Sequence, residues 1–284
     1  MKLGILAHCY GKLPLEELAA KVGAGGFQSI QLAMAKAISD IDSDLGKLSP
    51  GLANHIAETF ERHGVRIPVL GCYINPINPD REARRYEIDR FKEHLKYARQ
   101  FGAAMVATET GKLTTYKEQE PERYEQIAWN TLRETVEELA EEAEKWGVIF
   151  AIEPATSLTI HDTAGMLRMM EEVPSSSIGV VIDPVNLLED YNIDRRDEVM
   201  TEAIEKLGPR TVLIHAKDVL LGPDGKKQYA PIVGQGILNY PLFVSLLKKH
   251  KPHVHISLEG LKEENIAPSA AFVRQQWETT GSTL

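Results

Sequence analysis

Eight short apolar runs recur along the chain, and each is followed by a stretch with helical spacing. The runs cover residues 2–9, 27–33, 66–73, 105–111, 148–154, 178–184, 211–218 and 253–260. Strands that alternate with helices indicate a parallel sheet, because parallel neighbours need a crossover helix. Eight such units close into a barrel more readily than they extend as an open sheet. We therefore predict an α/β fold, a single (β/α)8 barrel in one domain over residues 1–284.

The boundaries of the helical stretches agree with this order. Four glycines each close a stretch shortly before the next apolar run, as C-terminal glycine caps do: Gly64, Gly102, Gly147 and Gly208. The Ser49-Pro50 pair is typical of a helix start. An open doubly wound sheet is the alternative, and it would usually carry a glycine-rich phosphate loop after the first strand. Residues 8–14 are not such a loop, so the barrel is favoured.

Charge and composition limit the classes of partner. Lysine and arginine number 32 against 41 aspartates and glutamates, which gives a formal net charge of −9. A surface of this charge repels phosphate backbones, so we expect a small metabolite and no nucleic acid. No apolar stretch approaches the ~18 residues of a membrane span. Two cysteines form no disulfide framework, which predicts a reduced, cytoplasmic protein. A symmetric homo-oligomer is also plausible.

Polar residues end four consecutive predicted strands. These residues are Glu153, Asp183, His215 and Glu259. Side chains two apart along a strand share a face, and the residues two positions before these four are small or apolar: Ala151, Val181, Leu213 and Ser257. In a barrel the carboxyl ends of the strands form one rim, where the chemistry of this fold takes place. The sequence therefore predicts a polar site above a packed barrel interior.

Three carboxylates brought together repel one another unless a positive charge lies between them. One divalent metal ion is the natural solution, with Glu153, Asp183, His215 and Glu259 as its ligands. One imidazole with carboxylates suits Mn²⁺, Co²⁺, Mg²⁺ or Zn²⁺. The alternative is four unrelated strand-end groups, each in a local ion pair.

Other polar residues near the strand ends are candidates for contact with a substrate. His8 ends the first strand, Glu109 ends the fourth, and His161 lies in the loop after the fifth. Lys217 follows His215 on the same strand and could orient a substrate oxygen. Its alternative role is that of a surface lysine paired with Asp218.

The chain resembles the xylose isomerase-like barrel superfamily, most clearly in the motifs FAIEP, GVVIDP, LIHAKD and SLEG of residues 148–260. That resemblance implies that Glu153, Asp183, His215 and Glu259 bind one metal ion. The chain departs from the pattern at Asn186, where many members carry a histidine that touches the substrate. Asn186 can hydrogen-bond a substrate hydroxyl, but it cannot carry a proton.

The resemblance also implies an activity. We expect a sugar (or sugar phosphate) isomerase or epimerase that works through an enediolate, with Glu153 and Glu259 removing and returning the proton. Dehydration of an inosose-type keto-polyol at the same site is the first alternative, and a catalytically inactive sugar-binding barrel is the second. A phosphodiester-cleaving relative would need more metal ligands and a basic face. Whether the sugar is phosphorylated stays open; the turn at 234–236 could present backbone N–H groups to a phosphate.

Overall fold

Eight parallel strands close into a barrel in the computed structural model of the protein, which describes residues 1–281. The strands are β1 (Lys2–Leu6), β2 (Ser29–Leu32), β3 (Arg66–Gly71), β4 (Met105–Glu109), β5 (Ile149–Glu153), β6 (Ile178–Ile182), β7 (Thr211–Ala216), the short β8 (Val219–Leu221) and β9 (Lys227–Tyr229), and β10 (His255–Leu258). The barrel order is β1-β10-β7-β6-β5-β4-β3-β2, while β8 and β9 form a separate antiparallel hairpin. Each predicted run contains one barrel strand, so the predicted (β/α)8 barrel is confirmed. The last three residues of the predicted 1–284 domain lie outside the described residues.

Helices connect the strands and surround the barrel. They are α1 (Leu15–Ala24), α2 (Met34–Ala37), α3 (Pro50–Arg62), α4 (Arg81–Tyr97), α5 (Tyr124–Trp146), α6 (Thr163–Glu172), α7 (Arg196–Leu207), α8 (Tyr240–His250) and α9 (Ile266–Thr279). Short 3-10 turns lie at Ala7–Tyr10, Ala98–Phe101, Leu113–Tyr116, Ile193–Arg195, Gly208–Arg210 and Glu263–Asn265. Across residues 1–281, none of the helices has the length and apolar character needed to span a membrane.

The predicted helix boundaries are confirmed with one exception. The Ser49 hydroxyl caps α3 by accepting the N–H of Leu52 at 3.2 Å. Gly102 and Gly147 adopt the left-handed conformation, with φ of 75° and 62°, that glycine reaches without steric cost. Gly208 is the exception in conformation: it ends α7 as predicted, but with φ −45° instead of a left-handed angle, and it begins a 3-10 turn. The chain passes from α7 directly into this 3-10 turn, so no left-handed residue is needed before β7.

The barrel interior has the alternation that the sequence predicted. Ala151, Val181 and Leu213 belong to one buried apolar cluster inside the barrel, together with residues of β3 and β4. Side chains two residues further along β5, β6 and β7 therefore extend from the same face, at the carboxyl end of the barrel. These side chains are Glu153, Asp183 and His215, so the packed interior forms the floor beneath them.

Gly4 in β1 tests how tightly this interior is packed. A Cβ atom at Gly4 would lie 2.7 Å from the backbone oxygen and the hydroxyl of Ser29. We expect Gly4→Ala to lower the free energy of unfolding by about 1–3 kcal/mol, measured by urea denaturation. Gly51→Ala in α3 is the matched control, because a Cβ there meets no atom within 4 Å. Equal stability of the two variants would contradict close packing at β1.

Candidate metal centre

Four side chains from adjacent strands meet at the carboxyl end of the barrel. Glu153 ends β5, Asp183 follows β6, His215 lies in β7 and Glu259 follows β10. One ligand atom from each lies within 4.8 Å of every other. Asp183 and His215 are 0% exposed, and Glu153 is also buried. This cluster could bind a metal ion.

Two buried oxygens in the cluster have no hydrogen-bond donor within residues 1–281. Asp183 Oδ1 accepts the backbone N–H groups of Val185 and Asn186, at 2.8 and 3.3 Å, but Asp183 Oδ2 has no hydrogen-bond partner. Glu259 Oε2 lies 2.7 Å from His215 Nδ1 in a geometry that is not a hydrogen bond. Buried oxygens without a donor are costly. One cation between them would satisfy both, so the donor set fits a divalent metal.

His215 is held in the tautomer that a metal ligand requires. Its Nε2 lies 2.8 Å from Gln31 Oε1, and Gln31 Nε2 donates to the Tyr73 hydroxyl at 3.1 Å. Because the Gln31 amide nitrogen is used by Tyr73, its oxygen accepts the proton on His215 Nε2. When the imidazole is neutral, His215 Nδ1 therefore carries the lone pair that a metal ion would bind, and this atom lies 3.3 Å from Glu153 Oε1. Such a partner on the outer nitrogen usually fixes a metal-binding imidazole.

Burial and neighbouring charges shift the pKa values of the cluster. Burial raises the pKa of Asp183 to about 7. Burial lowers the pKa of His215, but the nearby Glu153 and Glu259 carboxylates outweigh this effect and hold that pKa well above its usual value. Protons therefore balance part of the negative charge when no cation is bound. A divalent ion would displace them, because metal ligands bind in their deprotonated forms.

Lys217 and Asn186 line the cluster. Lys217 is 9% exposed, and its Nζ lies 3.6 Å from Asp183 Oδ2 and 3.7 Å from Glu259 Oε1. The same ammonium donates to Asn186 Oδ1 at 3.2 Å. Asn186 Nδ2 in turn donates to Glu153 Oε1 at 2.9 Å. The two residues therefore connect the carboxylates of β5, β6 and β10.

Asp218 has a structural role that the sequence did not reveal. Its carboxylate accepts four backbone N–H groups, two of them from Gly234 and Gly236 at 2.8 and 2.9 Å. The interpretation of Lys217 as a surface lysine paired with Asp218 is therefore wrong. The two N–H groups of the turn at 234–236 are also used within the chain, so they are not available for a phosphate.

The three remaining candidates differ in their burial and in their neighbours. His8 is half-buried in the turn after β1, and its Nδ1 has no hydrogen-bond partner in the described part of the chain. Burial and Lys36 lower its pKa. Glu109 lies opposite Glu153 in the β4–β5 register, and burial raises its pKa. His161 is 46% exposed, with its Nε2 3.8 Å from the neighbouring Asp162 carboxylate. His8 and Glu109 thus adjoin residues of the cluster, and His161 is exposed. Contact with a substrate stays a prediction for all three.

The β8–β9 hairpin brings a further residue to the cluster. Lys217 Nζ lies 4.4 Å from the centre of the Tyr229 ring, and this ring is largely exposed. The hairpin turns at Asp224-Gly225, where Gly225 has φ 74°. An Asp-Gly pair between two short runs is a hairpin signal that would have located this element in the sequence.

Comparison with known proteins supports one family. The family model described as xylose isomerase-like TIM barrel matches residues 17–276. A search of curated proteins gave no match.

Similar solved structures include a D-tagatose 3-epimerase-like protein, which is 17% identical with a TM-score of 0.77 over 99% of this chain and 98% of that chain. Another is D-psicose 3-epimerase from Clostridium cellulolyticum H10 with D-tagatose, which is 15% identical with a TM-score of 0.70 over 98% and 99%. A third is the IolI protein with a binding zinc atom, which is 19% identical with a TM-score of 0.68 over 99% and 96%. At these identities the likeness shows the fold.

Asp183→Asn tests the metal site with little change in shape. The asparagine oxygen can still accept the N–H of Val185, but the charged Oδ2 is lost. We expect about one Mn²⁺ per chain in the unchanged protein, by calorimetry and elemental analysis, and at least about tenfold weaker binding in the variant. Asp80→Asn, at the start of α4, is the matched control, because Asp80 also accepts backbone N–H groups. Equal metal affinity in all three proteins would contradict the site.

Gln31→Met tests the orientation of His215. Without the Gln31 oxygen, the proton on His215 Nε2 loses its acceptor, and we expect metal affinity to fall about 10–100-fold. Tyr73→Phe leaves the Gln31–His215 bond in place, so its effect on metal affinity should be smaller. Calorimetric titration with Mn²⁺ measures both. Full affinity in Gln31→Met would show that the imidazole is oriented by other contacts.

Proposed function

The chain belongs to the xylose isomerase-like TIM-barrel family, and we propose that it is a divalent-metal-dependent sugar (or sugar phosphate) isomerase or epimerase. The observation that carries the proposal is the position of Glu153 and Glu259. Both glutamates border His215 Nδ1, at 3.3 and 2.7 Å, and they come from strands separated by two others in the barrel. They therefore approach a small substrate from different sides.

The two glutamates exchange a proton with a substrate carbon in the proposed reaction. When bound by Glu153, Asp183, His215 and Glu259, a divalent ion supplies Lewis acidity to a carbonyl oxygen of the sugar. One glutamate takes the proton from the carbon next to the carbonyl, and the C–H electron pair forms the double bond of an enediolate. The other glutamate returns a proton. Return to the opposite face of the same carbon gives an epimer. Return to the former carbonyl carbon, with the hydroxyl proton passing to the former carbonyl oxygen, gives an isomer.

Asn186 and Lys217 position the groups that react. Asn186 cannot carry a proton, so the transfers remain with the glutamates, and its amide holds Glu153 through the 2.9 Å bond. Burial lowers the pKa of Lys217, but Asp183 and Glu259 outweigh this effect and raise that pKa above its usual value. Lys217 therefore keeps its proton and suits the orientation of a substrate oxygen.

A keto-polyol dehydratase is the second candidate, and Lys217 is the observation that favours it. Its ammonium lies inside the cluster, 3.7 Å from Glu259 Oε1, where a hydroxyl leaving the β-carbon would need a proton. The raised pKa makes this ammonium a weak general acid near neutral pH, because proton donors act best near the working pH. We therefore place isomerisation or epimerisation first.

Exchange of deuterium from the solvent tests the proposed proton transfer. Ketoses and inososes are incubated in deuterated water with protein restored with Mn²⁺ or Co²⁺, and the products are identified by NMR. We expect deuterium at one substrate carbon. Glu259→Gln and Glu153→Gln should each slow this exchange by about 10²–10⁴-fold, because each removes a proton carrier.

Glu61→Gln, on the exposed side of α3, is the control for the glutamate substitutions and should exchange at the unchanged rate. The product separates the two candidates, since an epimer or isomer keeps all its oxygens and a dehydration product loses one as water. Exchange that persists at full rate in both site variants would refute the proposed roles of the glutamates.

A further inference from the structure

A small polar cavity lies between α2, the end of β3 and α4, and it shares Tyr73 with the surroundings of the metal cluster. It has a volume of about 80 Å³, and its polar lining consists of Lys36, Ser43, Tyr73, Arg90 and His94. The small residue Gly71 leaves room for it: a Cβ there would approach both Ala33 and Tyr73 at 3.2 Å. The cavity offers the space of two or three water molecules, or of one tetrahedral oxyanion.

The charges that face this cavity are positive. Lys36 Nζ lies 3.7 Å from the centre of the Tyr73 ring, and Arg90 Nη2 donates to the Tyr73 carbonyl oxygen at 2.8 Å. Within residues 1–281, neither cation forms an ion pair with a carboxylate at 4.0 Å or less, and Glu109 acts on Lys36 only at longer range. Burial lowers the pKa of His94 to about 4, so its imidazole is neutral near pH 7. Two cations without a carboxylate partner among the described residues therefore line one cavity, in a chain of net charge −9.

Ser43 adds a hydroxyl to the lining of the cavity. The residue is 4% exposed, and its hydroxyl has no hydrogen-bond partner among the described residues. No bond within the described part of the chain therefore occupies this hydroxyl, which can donate to a ligand. A hydroxyl next to a guanidinium and an ammonium is a donor set suited to an oxyanion.

We propose that this cavity binds a phosphate-sized oxyanion through Lys36, Arg90 and the Ser43 hydroxyl. The planar guanidinium of Arg90 can bind two oxygens of a phosphate, and Lys36 adds a point charge. The ligand is either inorganic phosphate or the phosphate group of a sugar phosphate. Tyr73 separates the cavity from the metal cluster, since its hydroxyl accepts from Gln31, whose oxygen accepts from His215.

Calorimetric titration of the metal-loaded protein with inorganic phosphate tests the cavity. Lys36→Gln and Arg90→Gln should each weaken phosphate binding by about tenfold or more, because each removes one charge-assisted contact. Lys36 is exposed, so its substitution leaves the fold intact even if Arg90→Gln is unstable. Lys96→Gln, whose ammonium lies 5.1 Å from the Tyr97 ring centre, and Arg274→Gln, which donates to the Gly26 carbonyl, are the matched controls.

Phosphate could also bind at the metal ion, and Asp183→Asn separates the two sites. Binding in the cavity should survive Asp183→Asn and be lost in Lys36→Gln. The reverse pattern, or equal phosphate affinity in the unchanged protein and both cavity variants, would overturn the proposal. This titration needs no turnover, so it stands apart from the proposed enzymatic function.

A second measurement distinguishes the sources of the phosphate and rests on the proposed function. Exchange rates are compared for D-fructose and D-fructose 6-phosphate as probes, with and without added inorganic phosphate. If the cavity holds the phosphate of the substrate, the ester has the lower KM, and Lys36→Gln removes this advantage. If it holds free phosphate, added phosphate changes the rate with D-fructose, and Lys36→Gln removes that effect. Absence of exchange with either probe would count against the proposed function and leave the phosphate titration to decide on the cavity.

Discussion

Mutual repulsion among three carboxylates, two of them buried, is the constraint around which the upper end of this barrel is arranged. Glu153, Asp183 and Glu259 converge on one imidazole, with ligand atoms within 4.8 Å of one another. In a medium of low dielectric constant this convergence is tolerable only if positive charge or N–H donors compensate it. Lys217 lies within 4 Å of two of the carboxylates, and backbone N–H groups bind one oxygen of Asp183. The oxygens left without a donor define where a cation would be most stable.

The barrel provides the rigidity that such a charge cluster requires. Each ligand lies at or just beyond the end of a strand whose neighbours are hydrogen-bonded in a closed ring, so the backbone at each ligand is held in place. The residues beneath, such as Ala151 and Leu213, are packed and apolar. Gln31, from β2 on the opposite side of the ring, then fixes the imidazole across the interior. A fixed backbone, a packed floor and an oriented imidazole make the cluster a preorganised cation site.

The sequence predicted the parts of this arrangement that depend on periodicity, and it failed where contacts cross the barrel. Alternation along β5, β6 and β7 is a local property, so the strands and the positions of Glu153 and His215 could be predicted. Gln31 lies in the middle of an apolar run and is 184 residues from His215, so no local pattern connects the two. The role of Asp218 was missed for the same reason, since its partners come from the turn at 234–236. Gly208 ends α7 where the sequence predicted a helix end, but its φ of −45° could not be predicted, because the sequence does not specify backbone angles.

Charge balance at the metal cluster also bears on how a substrate could bind. One divalent ion together with Lys217 would balance the three carboxylates, so the reacting end of the site would be close to neutral. Such a centre suits carbonyl and hydroxyl groups and gains little from a second anion, which would compete with the carboxylates for the same cation. Any phosphate on the substrate is therefore better placed away from the ligands, where cations lack carboxylate partners. Lys36 and Arg90, on the far side of Tyr73, meet this condition.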